Sequence, residues 1–160
     1  MQRDLIYKIA KNEFILGDES LHGEEHWSRV EKIGIYLSEL TGADVDVVRI
    51  FAYLHDCKRE NEMEDPGHGE RAAELVKKLS AEGVLQLGEK SLSELIYACY
   101  HHNKKSKSSE NINILTCWDS DALDLWRIDI VPDPNWLNTK EARSRKLISF
   151  SYKLFEKYKK

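Results

Sequence analysis

Six histidines occur in this 160-residue chain, and acidic residues stand beside them at spacings that suit metal chemistry. They are His22, His26, His55 followed directly by Asp56, His68, and the pair His101-His102; further on come Asp119, Asp121 and Asp124. Imidazole and carboxylate together bind divalent transition metals, and such an ion makes a hydroxide nucleophile near neutral pH. The His55-Asp56 pair is central, because it ends the apolar run Phe51-Ala52-Tyr53-Leu54 and is followed by the basic pair Lys58-Arg59. The chemistry this predicts is metal-dependent hydrolysis, with a phosphate ester as the substrate.

Such residues act together only if the chain brings them to one place. Apolar residues recur at three- and four-residue steps almost throughout, which predicts an all-α protein of six or seven helices around a metal site. The first helix is expected over 3–15, ended near Gly17. A second follows over 24–40, closed by Thr41-Gly42, and a third over 45–57 with Asp44 as its cap. A fourth, over 68–79, follows the turn signal Asp65-Pro66-Gly67. A fifth starts at Ser91 or Ser93 and ends after His102, before the polar loop NKKSKSSEN. The sixth is expected over 112–126, and after the proline-containing stretch IDIVPDPNWLN a last amphipathic helix opens at Thr139 and runs to about 158. There is no repeat, low-complexity tract or linker, so residues 1–160 are expected to form one domain.

The periodicity then asks whether the histidines face inward. His26, Val30, Ile33, Leu37 and Leu40 form one stripe; Val47, Phe51, Leu54 and His55 form another; His68, Ala72, Leu75 and Leu79 a third. Leu92, Leu95, Cys99 and His102 share a face, as do Ile114, Trp118, Asp121 and Leu125. A single histidine on an apolar face is usually a hydrogen-bonded core residue. Five helices each carrying a ligand-type residue on the inner stripe are a different matter. A buried, ionised aspartate without a cation costs several kcal/mol, and the inner faces offer Asp56 and Asp121 no evident lysine or arginine. A divalent metal would satisfy both.

Composition narrows the setting. The net charge of -4 supplies no basic field for duplex nucleic acid. Cys57, Cys99 and Cys117 are odd in number, lack CxxC spacing and fall in apolar patterns, so buried reduced thiols are expected. The N-terminus is amphipathic and charged, and no apolar run could span a bilayer, which predicts a cytoplasmic protein with no membrane partner. Leu147, Phe150 and Leu154 on the last helix would pack at home or against a second copy, leaving a homodimer open. Trp27, Trp118, Trp126 and Trp136 flank the motifs; most are expected in the core, and one could stack on a base or sugar.

Taken as motifs, these residues resemble the HD superfamily of metal-dependent phosphohydrolases, whose pattern is H…HD…D on an all-helical fold. His26-Trp27-Ser28-Arg29-Val30 matches the H-x-x-R-V context of the first histidine, and the run ending in His55-Asp56 matches the central motif. Asp119-Ser120-Asp121-Ala122-Leu123-Asp124 matches D-x-D-x-L-D, which makes Asp121 the ligand; Ala122 departs from the family, which often carries arginine there. The resemblance covers residues 22–126. Dinuclear members add an HG or HP histidine and a histidine or HH pair, and His68-Gly69 and His101-His102 fit. The resemblance therefore implies His26, His55, Asp56 and Asp121 on one metal. Asp56 would bridge to a second held by His68 and His102, with His101 as a further candidate. One ion or two stay open, and His22 could add a ligand or meet a phosphate.

Imidazole-rich ligation suits iron, manganese, cobalt or zinc better than magnesium. With Asp56 and Asp121 in the catalytic centre, Lys58 and Arg59 are the expected phosphate contacts, Arg59 standing where the dinuclear relatives often carry a basic residue. Arg29, Arg71 and Lys104-Lys105 are weaker candidates, and the KKSKSSEN loop could form a lid. No Gly-Tyr-Pro follows the HH pair, and there is neither a P-loop nor a dinucleotide fingerprint. The resemblance is to small single-domain bacterial members, so the expected substrate is a nucleotide or other small phosphate ester. Two other readings share the ligand set: a di-iron oxygenase and a non-catalytic sensor or binding module on the same fold.

Overall fold

A computed structural model describes residues 2–159. Among them are seven α-helices and no strand: α1 (Gln2–Glu13), α2 (Glu24–Thr41), α3 (Val45–Leu54), α4 (His68–Ala81), α5 (Glu89–His101), α6 (Ile112–Ala122) and α7 (Arg145–Tyr158). Two short 3-10 turns, Leu125–Ile128 and Pro134–Trp136, lie between α6 and α7. No helix is long and apolar enough to cross a membrane.

The most apolar helix lies at the centre. In α3 every residue from Val47 to Leu54 except Arg49 is buried, so this helix is hydrophobic nearly all round and must be covered on all sides. It packs against α1, α2, α4, α5 and α6. Asp44 starts it as expected, its carboxylate accepting the Asp46 N–H at 3.0 Å. Helix α2 begins without a side-chain cap, but Glu24 and Glu25 in its first turn offset the helix dipole. It ends at Gly42, whose left-handed φ of 78° lets its N–H reach the Ser38 carbonyl. Cys57, Cys99 and Cys117 are buried free thiols.

Several helix ends differ from expectation, and each difference bears on the site. Helix α3 stops at Leu54 rather than Cys57, so His55 and Asp56 occupy the turn just beyond it, where the Cys57 N–H reaches back only to Leu54. Helix α6 stops at Ala122, and the chain tightens into the 3-10 turn that carries Arg127. Helix α5 starts from Gly88, ahead of either serine. The last helix begins at Arg145, capped by the Ser144 hydroxyl, and not at Thr139. Thr139 is occupied elsewhere: the buried Asp119 carboxylate accepts its N–H and hydroxyl, both at 2.8 Å, together with the Asn138 N–H and side-chain amide. That anchor pins residues 138–139 onto α6 and prevents an earlier helix start.

A second apolar cluster, Ile33, Leu37, Leu123, Leu137, Ala142 and Leu147, joins α2 to the end of α6 and to α7. Phe150 and Leu154 pack against it, so the apolar face of α7 is covered within the chain. Leu40 is exposed, one turn past the useful part of its stripe, and of the tryptophans Trp27 and Trp118 are buried while Trp136 is 68% exposed.

Gly34 sets how closely α2 approaches its neighbours. A β-carbon there would lie 2.5 Å from Val48 Cγ1 on α3 and 3.5 Å from Ser120 Cβ on α6. Two turns before Gly34 stands His26, and directly after Ser120 stands Asp121, so this contact fixes the spacing between two site residues. Gly34→Ala should therefore destabilise the fold by about 1–3 kcal/mol through overpacking, read as a lower midpoint in urea unfolding.

Candidate metal centre

Four imidazoles and two carboxylates converge at one end of the helical core. His26 comes from the first turn of α2, His55 and Asp56 from the turn after α3, and His68 from the first residue of α4. His102 follows the last residue of α5, and Asp121 lies in the last turn of α6. His26, His55, Asp56, His68 and His102 are all buried.

Asp56 divides the cluster into two sets. Its Oδ2 lies 3.6 Å from His26 Nε2 and 3.7 Å from His55 Nε2, and these two nitrogens are 3.1 Å apart. Asp121 Oδ1 completes this set at 3.3 Å from His26 Nε2 and 3.6 Å from His55 Nε2. The other oxygen, Asp56 Oδ1, lies 3.0 Å from His68 Nε2 and 3.4 Å from His102 Nε2, which are themselves 2.9 Å apart. Ligands around one ion with bonds of about 2.0–2.2 Å stand about 3.0–3.5 Å from one another. The edges of the first set, 3.1–3.7 Å, and of the second, 2.9–3.4 Å, lie close to that range. The residues His26, His55 and Asp56, and again Asp56, His68 and His102, are thus groups that could each hold a metal ion.

The far side of each ring explains why the near side wants a cation. His55 Nδ1 lies 3.1 Å from the Phe51 carbonyl and His102 Nδ1 2.7 Å from the Cys99 carbonyl, while His68 Nδ1 meets the Asp65 carbonyl. A carbonyl only accepts, so each Nδ1 carries the proton and each neutral ring turns its Nε2 lone pair inward. His26 Nδ1 likewise donates to Asp124 Oδ2 at 2.7 Å. Four lone pairs and two carboxylates then face one another with no donor among them unless a proton or a metal supplies positive charge. Anchoring of the distal nitrogen by carbonyl or carboxylate is the arrangement that orients metal-ligating histidines.

The electrostatics agree. Burial alone would raise the Asp56 carboxyl, but His55, His102, His22 and His68 together hold it well below the usual carboxylate range. Asp121 is held down in the same way: burial pushes it up, and His55 and His26 outweigh that. His55 shows the converse, burial pulling it down and the two aspartates raising it above its ordinary value.

The remaining expected site residues lie in different places. His22 is at the centre, its Nδ1 3.0 Å from Asp56 Oδ2 and its Nε2 3.2 Å from the Glu62 carbonyl. Arg59 is buried beside the second set, Nη1 lying 3.3 Å from His68 Nε2 and 3.8 Å from Asp56 Oδ1, while Nη2 donates to the Met63 carbonyl. Lys58 is a correction: the turn after α3 sends it the other way, to Glu13 at 2.7 Å. Arg29 is another, because its guanidinium is buried and grips Asp124 with two donors at 2.7 and 3.1 Å. His101 does not join the cluster. Successive helical residues point about 100° apart, and with His102 turned inward His101 lies half-exposed against Tyr97 at a ring separation of 4.2 Å.

The sequence names Asp124 only within its acidic motif, without its role behind His26, and does not single out Lys107 or Arg127. Asp124 links Arg29 to His26, and its burial is compensated by both partners. The signal was present, since His26 and Arg29 are three apart on one helix face. Lys107, in the loop before α6, is drawn inward so that Nζ donates to the His102 carbonyl and lies 5.2 Å over the Trp118 ring; burial lowers its pKa, with Asp121 and Asp119 opposing. No periodicity marks a loop lysine. Arg127 approaches Asp121 to 3.9 Å.

Gly69 brings the second set together. A β-carbon there would meet Asn103 Oδ1 at 2.6 Å and the Cys99 carbonyl at 2.8 Å, so only glycine lets α4 and α5 close enough for His68 to face His102.

The comparisons bear on this geometry. The sequence profile of the HD domain matches residues 23–132, and the chain belongs to that family. No curated protein matches it. Among solved structures it is similar to a predicted HD superfamily hydrolase from an uncultured Thermotogales bacterium. The identity is 22%, the match covers 97% of this chain and 87% of that one, and the TM-score is 0.70.

Two outcomes follow. Asp124→Ala leaves a buried guanidinium unpaired and frees the His26 ring. It should cost about 3–5 kcal/mol of stability, read by thermal melting, and weaken metal binding about 10–100-fold. In metal analysis of protein loaded with manganese, the unaltered chain should hold two ions, His68→Ala should retain one, and Asp56→Ala should fall below one.

Proposed function

We propose that this protein is a metal-dependent phosphohydrolase that cleaves a nucleotide or another small phosphate ester. The observation that carries the reading is the pair of donor sets sharing Asp56, each with its histidines locked in the tautomer that presents Nε2 inward. Membership of the HD family and likeness to a protein described as a predicted HD superfamily hydrolase support it.

The donor chemistry fits a divalent transition ion: four imidazole nitrogens and two carboxylates favour iron, manganese, cobalt or zinc over magnesium. His26, His55, Asp56 and Asp121 would hold one ion and Asp56, His68 and His102 the other. Such ions, when bound, supply Lewis acidity and lower the pKa of water towards neutrality.

The protein's own groups do the rest. Asp124 keeps the His26 ring oriented, and Arg29 keeps Asp124 ionised in a buried position. Asp121 is the member of the cluster nearest solvent, its side chain 21% exposed against 0% for His26. The substrate's phosphate therefore enters past Asp121. His22 stands between two acceptors at the edge of the cluster, Asp56 Oδ2 on its Nδ1 side and the Glu62 carbonyl on its Nε2 side.

The test is phosphate release from nucleotides and small phosphate esters, with the protein loaded separately with manganese, cobalt and iron. Release should occur with one compound class and fall by more than about a hundredfold in Asp121→Ala, while helicity by circular dichroism is retained. Full activity with manganese under anaerobic conditions is expected. Oxygen consumption with iron, and no phosphate release from any compound, would instead establish the di-iron oxygenase reading.

A further inference from the structure

Arg127 is held in an unusual way for a cation beside an anionic centre. Its Nε donates to the Leu21 carbonyl at 3.0 Å and its Nη1 to the Asp124 carbonyl at 3.0 Å. These two backbone acceptors lie on different segments, the loop before α2 and the end of α6, so the guanidinium plane is fixed from both sides. The side chain is only 8% exposed. Nη2 is left over. Among the described residues it donates no hydrogen bond, and it stands 3.9 Å from Asp121 Oδ1, beyond hydrogen-bonding reach.

Ordinary ion pairs do not look like this. When arginine serves only to neutralise a carboxylate it usually grips it, as Arg29 grips Asp124 with two donors at 2.7 and 3.1 Å. Arg127 instead spends its other donors on main-chain carbonyls and presents one donor edge, already oriented, to the space beside Asp121. That space is the exposed edge of the cluster. Arg127 also lines a cleft of about 230 Å3 together with Asp18, Glu19, Glu25, Arg29 and Tyr158.

We propose that Arg127 grips a non-bridging oxygen of the substrate's phosphate through Nη2. The inference rests on the phosphohydrolase reading for the identity of the anion. A guanidinium pre-oriented by carbonyls loses little freedom on binding, and its donors match phosphate oxygens. Of the residues expected to do this from sequence, Lys58 is committed to Glu13 and Arg29 to Asp124, while Arg59 lies beside the second set, away from Asp121.

The experiment uses manganese-loaded protein and two probes, inorganic phosphate and para-nitrophenyl phosphate. Arg127→Gln keeps a hydrogen-bonding side chain without the charge, and Arg127→Lys keeps the charge without the fork. Calorimetric phosphate binding should weaken about 10–100-fold in Arg127→Gln, with KM for the ester rising in step, and Arg127→Lys should recover part of the loss. Metal content should stay that of the unaltered protein, and the melting temperature should fall by about 2–8 °C as the bonds to Leu21 and Asp124 are lost. Phosphate affinity and KM unchanged within about twofold would overturn the proposal. So would a loss of metal in step with the loss of phosphate affinity, which would make Arg127 a tether between Leu21 and Asp124 only. The two readings separate cleanly. Phosphate binding that depends on Arg127, in a protein releasing no phosphate from any ester, sinks the hydrolase reading and keeps this one. Hydrolysis indifferent to Arg127 does the reverse, and unaltered protein that fails to bind phosphate overturns this proposal.

Discussion

A carboxylate buried between four imidazoles governs this molecule. Asp56 is 3% exposed, with one oxygen facing His26 and His55 and the other facing His68 and His102. Removing an ionised carboxylate from water is costly unless charge and hydrogen bonds replace the lost hydration. Here five imidazoles surround it, His22 included, and with Nε2 lone pairs turned inward on four of them the compensating charge has to come from a bound proton or metal. Each of those rings must in turn be anchored behind, and the anchors are main-chain carbonyls at helix ends or a second buried ion pair. The architecture can be understood as what is needed to keep that one side chain where it is.

Helix ends carry out this task. His55 and Asp56 follow the end of α3, His102 follows the end of α5, and His68 begins α4. In each case the ring's Nδ1 bonds a nearby carbonyl at a helix terminus or turn: Phe51 and Ala52 for His55, Cys99 for His102, Asp65 for His68, the Phe51 and Asp65 carbonyls also accepting the same residue's main-chain N–H. A backbone carbonyl cannot change its protonation state or rotate away, so it imposes one tautomer on the ring. His26 lies at the start of its helix, where N–H groups and not carbonyls are free. It needs a side-chain acceptor, Asp124, and that buried carboxylate needs Arg29.

Close helix approach is the second requirement. Gly34 admits Val48 and Ser120 on one side of the core, and Gly69 admits the end of α5 on the other. The result joins residues far apart in the chain, and it leaves a single carboxylate, Asp121, partly open to solvent. Reactivity and access are therefore separated. The donors are buried and rigid, while the exposed edge is bordered by Arg127 and by Lys107, two cations from segments outside the α-helices.

Much of this was legible in the sequence, for a definite reason. Helical period places His26, His68, His102 and Asp121 on apolar stripes, and an apolar stripe must face the core whatever the details of packing. The all-α class, the inward set of ligand-type residues and the HD motif follow from local pattern. Tertiary structure decided what local pattern does not encode. The turn after α3 sends Lys58 to Glu13 and leaves Arg59 beside His68. The last turn of α5 separates His102 from His101, and the Asp119 anchor holds Thr139 out of α7. Arg29 and Arg127 carry the same charge, yet one is buried in an ion pair and the other aims a free donor edge at the cluster. A charged side chain's role is set by which acceptors the fold brings within 3 Å of it, and those acceptors lie up to a hundred residues away along the chain.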